Sequence, residues 1–394
     1  MEEILIISNY YPPEKGAAAN RIEQLALKLH QKKYRVSVLC PLGNYPKGVL
    51  FPEYKGKFFV AENRDEITVK RLWIYPSVSK NLVIRLLSVL SFSFSLFFYL
   101  LLKKTPKKVV VQSPPLLLSF IAIFISALKN KKIILNVSDL WPLAAIELKA
   151  LKENSLSHKF SLFLERFIYK NSSLILGQSN EIISHIKTIS PEKKCYLYRN
   201  FPEHSQSGLH SKIHGNEPIK LFYAGLLGIA QGVLELCQKI DLKDLNVELH
   251  VFGDGAEKNQ LEAFISNQKE HKIFFHGMLE RKILHETLKS FDIAVVPLKT
   301  RIYGSVPSKI FEYTTLGYPI LYFGGGEGGI IIEQHKLGWV AEVENFEELN
   351  QKIISISKLS AEELKFIKND VFNTSKSIFN LNTQINSLID DGVF

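Results

Sequence analysis

Cysteine is scarce: three in 394 residues, at positions 40, 195 and 237. Far apart and odd in number, they exclude a disulfide framework and a Cys-based zinc site, and they point to a reducing compartment. The chain has no D-x-D pair to hold a divalent metal and no G-x-S-x-G nucleophile turn. No metal site and no resident cofactor are therefore expected. The opening Met-Glu-Glu-Ile-Leu-Ile-Ile is acidic and then strand-like, without the basic start of a signal peptide. With hydrophobic residues at 46% and charged residues at 22%, a mostly disordered chain is also excluded.

What is present is charge asymmetry. Residues 1–200 hold 30 Lys and Arg against 14 Asp and Glu, while the remainder holds 19 against 25. A basic half facing anionic lipid or phosphate-bearing substrates, and an acidic half facing something else, follows from that split. A solvated basic surface is the plain alternative.

Periodicity sets the architecture. Ile4–Asn9 reads as a strand, and Ile22, Leu25, Ala26 and Leu29 mark a helix over Asn20–Lys32. Tyr34–Leu39, Val109–Val111, Ile133–Val137 and Leu174–Leu176 are further strands with helical stretches between. The second half predicts strands at Lys220–Ala224, Glu248–Phe252, Ile273–His276, Ile293–Val296 and Ile320–Phe323. Its helices are predicted at Gly232–Ile240, Glu257–Gln268, Ile283–Phe291, Lys309–Leu316 and Glu347–Lys358. Alternating strands and helices imply parallel βαβ units. The expected fold is α/β, two Rossmann-like domains facing a central cleft. The first domain spans 1–204, the second 205–370, and a C-terminal helix, 371–394, returns to the first domain. Pro202–Pro218, rich in Ser, His, Gly and Pro, is the linker.

Two uncharged stretches stand apart. Leu86–Leu102 lies between Arg85 and Lys103, Lys104, Lys107 and Lys108; Pro115–Leu128 ends in Lys129, Lys131 and Lys132. A bilayer span needs about 20 apolar residues, so the first is borderline. Helices with basic ends suit the headgroup region of an anionic membrane. Burial against a sheet is the competing reading.

Candidate site residues sit at predicted strand ends, where α/β folds bind ligands. The Tyr10–Arg21 loop has Gly16 and small alanines before a helix start, but no G-x-G-x-x-G. Ser138-Asp139-Leu140-Trp141-Pro142 offers Asp139 as a base or hydroxyl acceptor; a helix cap is the ordinary role for such an Asp. Gly225, Gly228, Gln231 and Gly232 form a phosphate cradle without a P-loop lysine. Gly253-Asp254-Gly255 permits close backbone approach, though it also reads as a turn. His276 lies at a strand end. The densest segment is Pro307-Ser308-Lys309-Ile310-Phe311-Glu312-Tyr313, with Ser308 as N-cap. There Lys309 suits a diphosphate and Glu312 a pair of ribose hydroxyls. An i,i+3 ion pair between them is the bland alternative. The glycine-rich Gly324–Gly329 loop predicts a backbone-lined ligand site or a moving loop.

Taken in order, these motifs resemble the retaining glycosyltransferases of the GT-B fold, family four. The pair Asp139-Leu-Trp-Pro142 and Pro307-Ser-Lys-Ile-Phe-Glu-Tyr313 looks like the bacterial surface-polysaccharide subgroup that includes N-acetyl-L-fucosamine transferases. The resemblance implies a nucleotide-sugar donor, UDP rather than GDP, held by the second domain. Gly16, Gly225, Gly228, Gln231, Gly232, Gly253, Asp254, Gly255, His276, Pro307, Ser308, Lys309 and Glu312 would bind it. It implies a lipid-linked oligosaccharide acceptor near Arg21, Asp139 and Trp141, with Asp139 and Lys309 catalytic. Expected partners are therefore these two substrates and an anionic membrane surface, with no nucleic acid, on the cytoplasmic face of the cell membrane. The family's E-x7-E pattern would place a Glu at 304, where this chain has Gly304, and Leu227 and Ala230 stand where phosphate-binding cations are usual. A nucleotide-sugar epimerase and a non-catalytic assembly scaffold remain alternatives.

Overall fold

The computed structural model describes residues 1–14, 16–79, 81–203, 217–267 and 272–394. The linker read over Pro202–Pro218, with its boundary at 204/205, lies largely outside the described residues. Contacts divide the chain into two compact units, one of 1–200, 302–305 and 382–394, the other of 201–301 and 306–381.

In the first unit the order is β1 (Glu3–Ile7), α1 (Ala17–Gln31), β2 (Arg35–Pro41), β3 (Phe59–Arg64), β4 (Ile67–Leu72), α2 (Leu82–Leu102) and β5 (Lys108–Ser113). It continues through α3 (Leu116–Leu128), β6 (Lys132–Val137), α4 (Leu143–Glu147), α5 (Leu156–Asn171), β7 (Leu174–Gly177), α6 (Asn180–Ile189) and β8 (Cys195–Leu197). The sheet runs β3-β4-β2-β1-β5-β6-β7-β8, parallel except for the β3–β4 hairpin. Chain order reverses beside β1, which makes the β1/β5 boundary a switch point where ligands bind. Right-handed crossovers place α1 on one face of the sheet and α2, α3, α5 and α6 on the other. The last four pack side by side in that order.

The second unit follows the same plan with β9 (Ile219–Leu226), α7 (Val233–Lys239), β10 (Val247–Asp254), α8 (Lys258–Ser266), β11 (Ile273–Phe275), α9 (Arg281–Leu288) and β12 (Ile293–Pro297). Then come α10 (Ser308–Thr315), β13 (Ile320–Phe323), α11 (Glu327–Gln334), β14 (Gly338–Ala341), α12 (Phe346–Ser357) and α13 (Ala361–Ile378). Its parallel sheet is ordered β11-β10-β9-β12-β13-β14, with the switch point between β9 and β12. Ser360 and Glu363 cap α13 reciprocally. The buried Lys368 of α13 bonds Asp292 at 3.2 Å and the Phe291 carbonyl at 3.0 Å, and Ser375 donates to the Thr314 carbonyl of α10. Residues 371–381 thus stay with the second unit. α14 (Leu381–Asp390) groups from residue 382 with the first, where the Gln384 amide exchanges two hydrogen bonds with the Arg199 backbone.

α2 is long and apolar enough to cross a membrane. It nevertheless buries Phe92, Leu96 and Leu100 in the core shared with α3 and the sheet.

Candidate active site

In the second unit β9 ends at the switch point, and its terminal residues gather the motif side chains. Lys309, one residue inside α10, reaches back to donate to the Ala224 carbonyl. That same carbonyl accepts from Tyr313 Oη at 3.0 Å. The ammonium sits 4.4 Å from the Tyr223 ring centroid, a cation–π contact. Burial pushes its pKa down to about 8, with Glu312 only partly opposing. A Cβ at Gly225 would push Lys309 Nζ out of this position. A desolvated cation beside a backbone loop is an anion site in waiting.

Glu312 does not pair with Lys309 as an i,i+3 partner. It faces α9 instead, with Arg281 Nη2 at 3.5 Å and His285 Nε2 at 3.7 Å. Burial pushes the carboxyl up, but His285, Arg281 and Lys309 outweigh it and hold it below the usual carboxylate range. An ionised carboxylate at the site edge is the acceptor geometry that vicinal hydroxyls need. Arg281 and His285 escaped the sequence reading because nothing local links α9 to a residue 31 positions on.

The glycines divide into two kinds. Gly228 and Gly232 close the β9–α7 turn, with Gln231 N and Gly232 N both donating to the Gly228 carbonyl and Gly232 at φ 66°. Gly253, Asp254 and Gly255 act on the neighbouring strand. A Cβ at Gly253 would overlap the Gly225 carbonyl and one at Gly255 the Leu227 carbonyl, while Leu227 N donates to Asp254 O. This segment therefore clamps the Gly225–Gly232 loop from beneath. Asp254 does not cap α8: its Oδ1 accepts from Gly255 N, and Glu257 holds the cap position. His276 is exposed at the end of β11, stacked on Phe252 at 4.5 Å and bonded to His250 Nδ1 at 2.9 Å.

Several expected roles change. Ser308 is the first helical residue of α10, and Pro307 takes the cap position with no side-chain cap. In the glycine-rich loop, Glu327, Gly328 and Gly329 already belong to α11, and a Cβ at Gly328 would press on Tyr322 and Ile310. Those two glycines serve close packing rather than a mobile loop. Gly304 groups with the first unit, where its N–H donates to Glu181 Oε2 at 2.7 Å and its carbonyl accepts from Ser179 Oγ at 2.7 Å. At φ 85° with Ile182 and Leu140 against it, position 304 has no room for the family's Glu. Gly304→Glu should cost about 1–3 kcal/mol of stability through strain and overpacking, with no gain in donor binding. Chemical denaturation checks this, and an unchanged midpoint contradicts it.

In the first unit, Arg21 is 2% exposed. Its guanidinium bonds Gln178 Oε1, Asn136 Oδ1 and the Tyr198 carbonyl and stacks on the Tyr198 ring. Burial lowers its pKa to about 10. It ties β6 and β7 to the following chain, a structural role, and is not presented to an acceptor. Asp139 lies at the end of β6, bonded by Ser138 Oγ at 3.1 Å. Burial pushes its carboxyl up, opposed by Ser138 and by the Arg21 charge. It caps no helix, since Pro142 precedes α4. Trp141 is half-buried against the core. Gly16 opens α1, and a Cβ there would meet Tyr45 at 3.9 Å. The buried Glu14, missed in the sequence, pins this loop by accepting from Asn44 N and Tyr45 N.

Residues 210–370 match the family described as Glycosyl transferases group 1. No curated protein sequence matches. Among solved structures, sucrose-phosphate synthase from Thermosynechococcus elongatus superposes with a TM-score of 0.75 at 12% identity, covering 99% of both chains. HepE of Anabaena, in complex with UDP and glucose, gives 0.66 at 14% identity over 99% of both. WaaG, a glycosyltransferase involved in lipopolysaccharide biosynthesis, gives 0.65 at 12% identity over 98% of both. The fold is GT-B, and the group 1 domain makes glycosyl transfer the chemistry of this chain.

Proposed function

We propose that the protein is a retaining glycosyltransferase that moves a sugar from a UDP-sugar to a lipid-linked saccharide in surface-polysaccharide synthesis. The observation that carries the donor half is the desolvated Lys309 ammonium against the Gly225 loop, with ionised Glu312 one turn further along α10. HepE, similar in fold and solved in complex with UDP and glucose, supports a nucleotide-sugar donor, and the involvement of WaaG in lipopolysaccharide biosynthesis supports a lipid-borne acceptor.

In this reading the diphosphate lies at the carboxyl end of β9. Lys309 and backbone N–H groups of the Gly225–Gly232 loop balance its charge as the sugar C1–O bond breaks. Glu312 accepts from the ribose hydroxyls. The acceptor oxygen bonds C1 on the face the diphosphate leaves, and its proton passes to a leaving phosphate oxygen. Asp139 orients the acceptor hydroxyl by accepting a hydrogen bond from it.

Asp139→Asn should lower turnover about a hundredfold while UDP affinity stays within twofold. Steady-state kinetics with a calorimetric titration checks this; lost UDP affinity with normal turnover reverses the roles. The mechanism uses no metal, so EDTA should leave the rate unchanged. A rate abolished by EDTA and restored by Mg²⁺ contradicts it.

A further inference from the structure

The helices on one face of the first sheet leave an apolar surface uncovered. On α2 the exposed side chains follow one helical stripe through Leu86, Leu90, Phe94, Phe98 and Leu102, opposite the buried Phe92, Leu96 and Leu100. α3 lies between α2 and α5 and exposes Phe124 and Leu128. α5 exposes Phe160 at 54% and Phe163 at 56%. The rings are continuous across α3 and α5: Phe120 meets Phe163 at 6.3 Å and Phe167 at 4.6 Å. Three adjacent helices thus expose apolar side chains side by side, a contiguous patch of the kind that marks an interaction surface.

Charge identifies what covers it. Residues 67–138 contain eleven Lys and Arg and no Asp or Glu. Where α2 and α3 end, Lys131 is held below the usual lysine range by burial and by Lys129, Lys104 and Lys107. Lys129 and Lys131 also donate to carbonyls at the end of α2 and beyond it. A crowd of like charges beside an apolar face complements an anionic headgroup layer over hydrocarbon. A second copy of this chain would bring the same positive cluster against itself.

We propose that the α2–α3–α5 face enters an anionic phospholipid bilayer to the acyl boundary, with Phe94, Phe98, Phe124, Phe160 and Phe163 as inserted side chains and the Lys103–Lys131 cluster among the headgroups. The inference rests on the proposed function for its purpose, a lipid-borne acceptor, and on the helices for its geometry. Phe97 of α2 is half-buried against the core and stays out of the inserted set, while α5 joins the two uncharged stretches although its charged residues hide its aromatic side in the sequence.

Full-length protein is sedimented with phosphatidylglycerol–phosphatidylcholine vesicles and with pure phosphatidylcholine vesicles, and UDP affinity is measured in parallel. Wild-type protein should pellet with the anionic vesicles. The double variant Phe160→Ser/Phe163→Ser should bind them at least tenfold more weakly, with unchanged UDP affinity. Phe160→Trp adds a readout that removes no apolar surface: its emission should shift blue and be quenched by lipids brominated on the acyl chain. Wild-type protein left in the supernatant, a double variant that binds as wild type, an unquenched Phe160→Trp, or a wild-type dimer by light scattering that the double variant abolishes overturns the proposal. Should the double variant not fold, the tryptophan variant decides. Lost vesicle binding with intact UDP binding removes this face alone; vesicle binding without UDP binding removes the donor reading alone.

Discussion

Replacing Lys309 by Ala should weaken UDP binding by roughly 10- to 150-fold, the range set by losing a charge-assisted contact of about 1.5–3 kcal/mol. The same residue predicts how the wild type responds to pH. In the free protein burial holds the ammonium at about 8. A bound diphosphate favours its charged form and raises that value. Below pH 8 Lys309 is already protonated and affinity sits at its plateau. As pH rises above 8, binding must take up a proton, and affinity falls by up to about tenfold per unit until the pKa of the complex is passed. Calorimetric titrations at pH 7, 8 and 9 should show this decline in wild type and a flat profile in Lys309→Ala. Equal affinities for both proteins across the range would remove Lys309 from the site.

Gly253→Ala should destabilise the protein by about 3 kcal/mol or more and abolish nucleotide binding with it. The backbone at Gly253 has φ 150°, which L residues rarely adopt, and the new methyl would fall on the Gly225 carbonyl of β9. The strands would have to part at the point where the Gly225–Gly232 loop leaves the sheet. Gly56→Ala supplies the comparison: φ is 73°, yet nothing lies within 4 Å of its Cβ. That change carries the backbone penalty alone, about 1–2 kcal/mol, and should leave UDP affinity untouched. Thermal unfolding and UDP titration of both variants check this, and a Gly253→Ala melting curve that overlays wild type contradicts it.

The main frame was readable because its strands are continuous apolar runs buried on both faces. Ile133–Val137 and Ile293–Val296 fall within β6 and β12 as observed. The β3–β4 hairpin was missed. Its turn places Asp65 and Glu66 at φ 47° and 66°, conformations that Asn-Gly announces and Asp-Glu does not. β8 and β14, three and four residues long, are set by pairing with their neighbours rather than by a pattern of their own. At the site, motif spacing led to Lys309 and Glu312, but their partners are tertiary. Ala224 lies 85 positions from Lys309 on a different element, and Arg281 reaches Glu312 from another helix. Arg21 looked available because a lone Arg in the first turns of a helix carries no sign of burial. Only the packed sheet shows its guanidinium spent on Asn136, Gln178 and Tyr198.

That the second unit holds a nucleoside diphosphate sugar is tested most directly by a thermal-shift panel of UDP, GDP and their sugar conjugates on wild-type protein at pH 7. A ligand at 100 times its Kd adds roughly 2.7 kcal/mol to stability. The account predicts a clear rise in melting temperature with UDP and UDP-sugars and a smaller one with GDP. No shift with any nucleotide at millimolar concentration would contradict it.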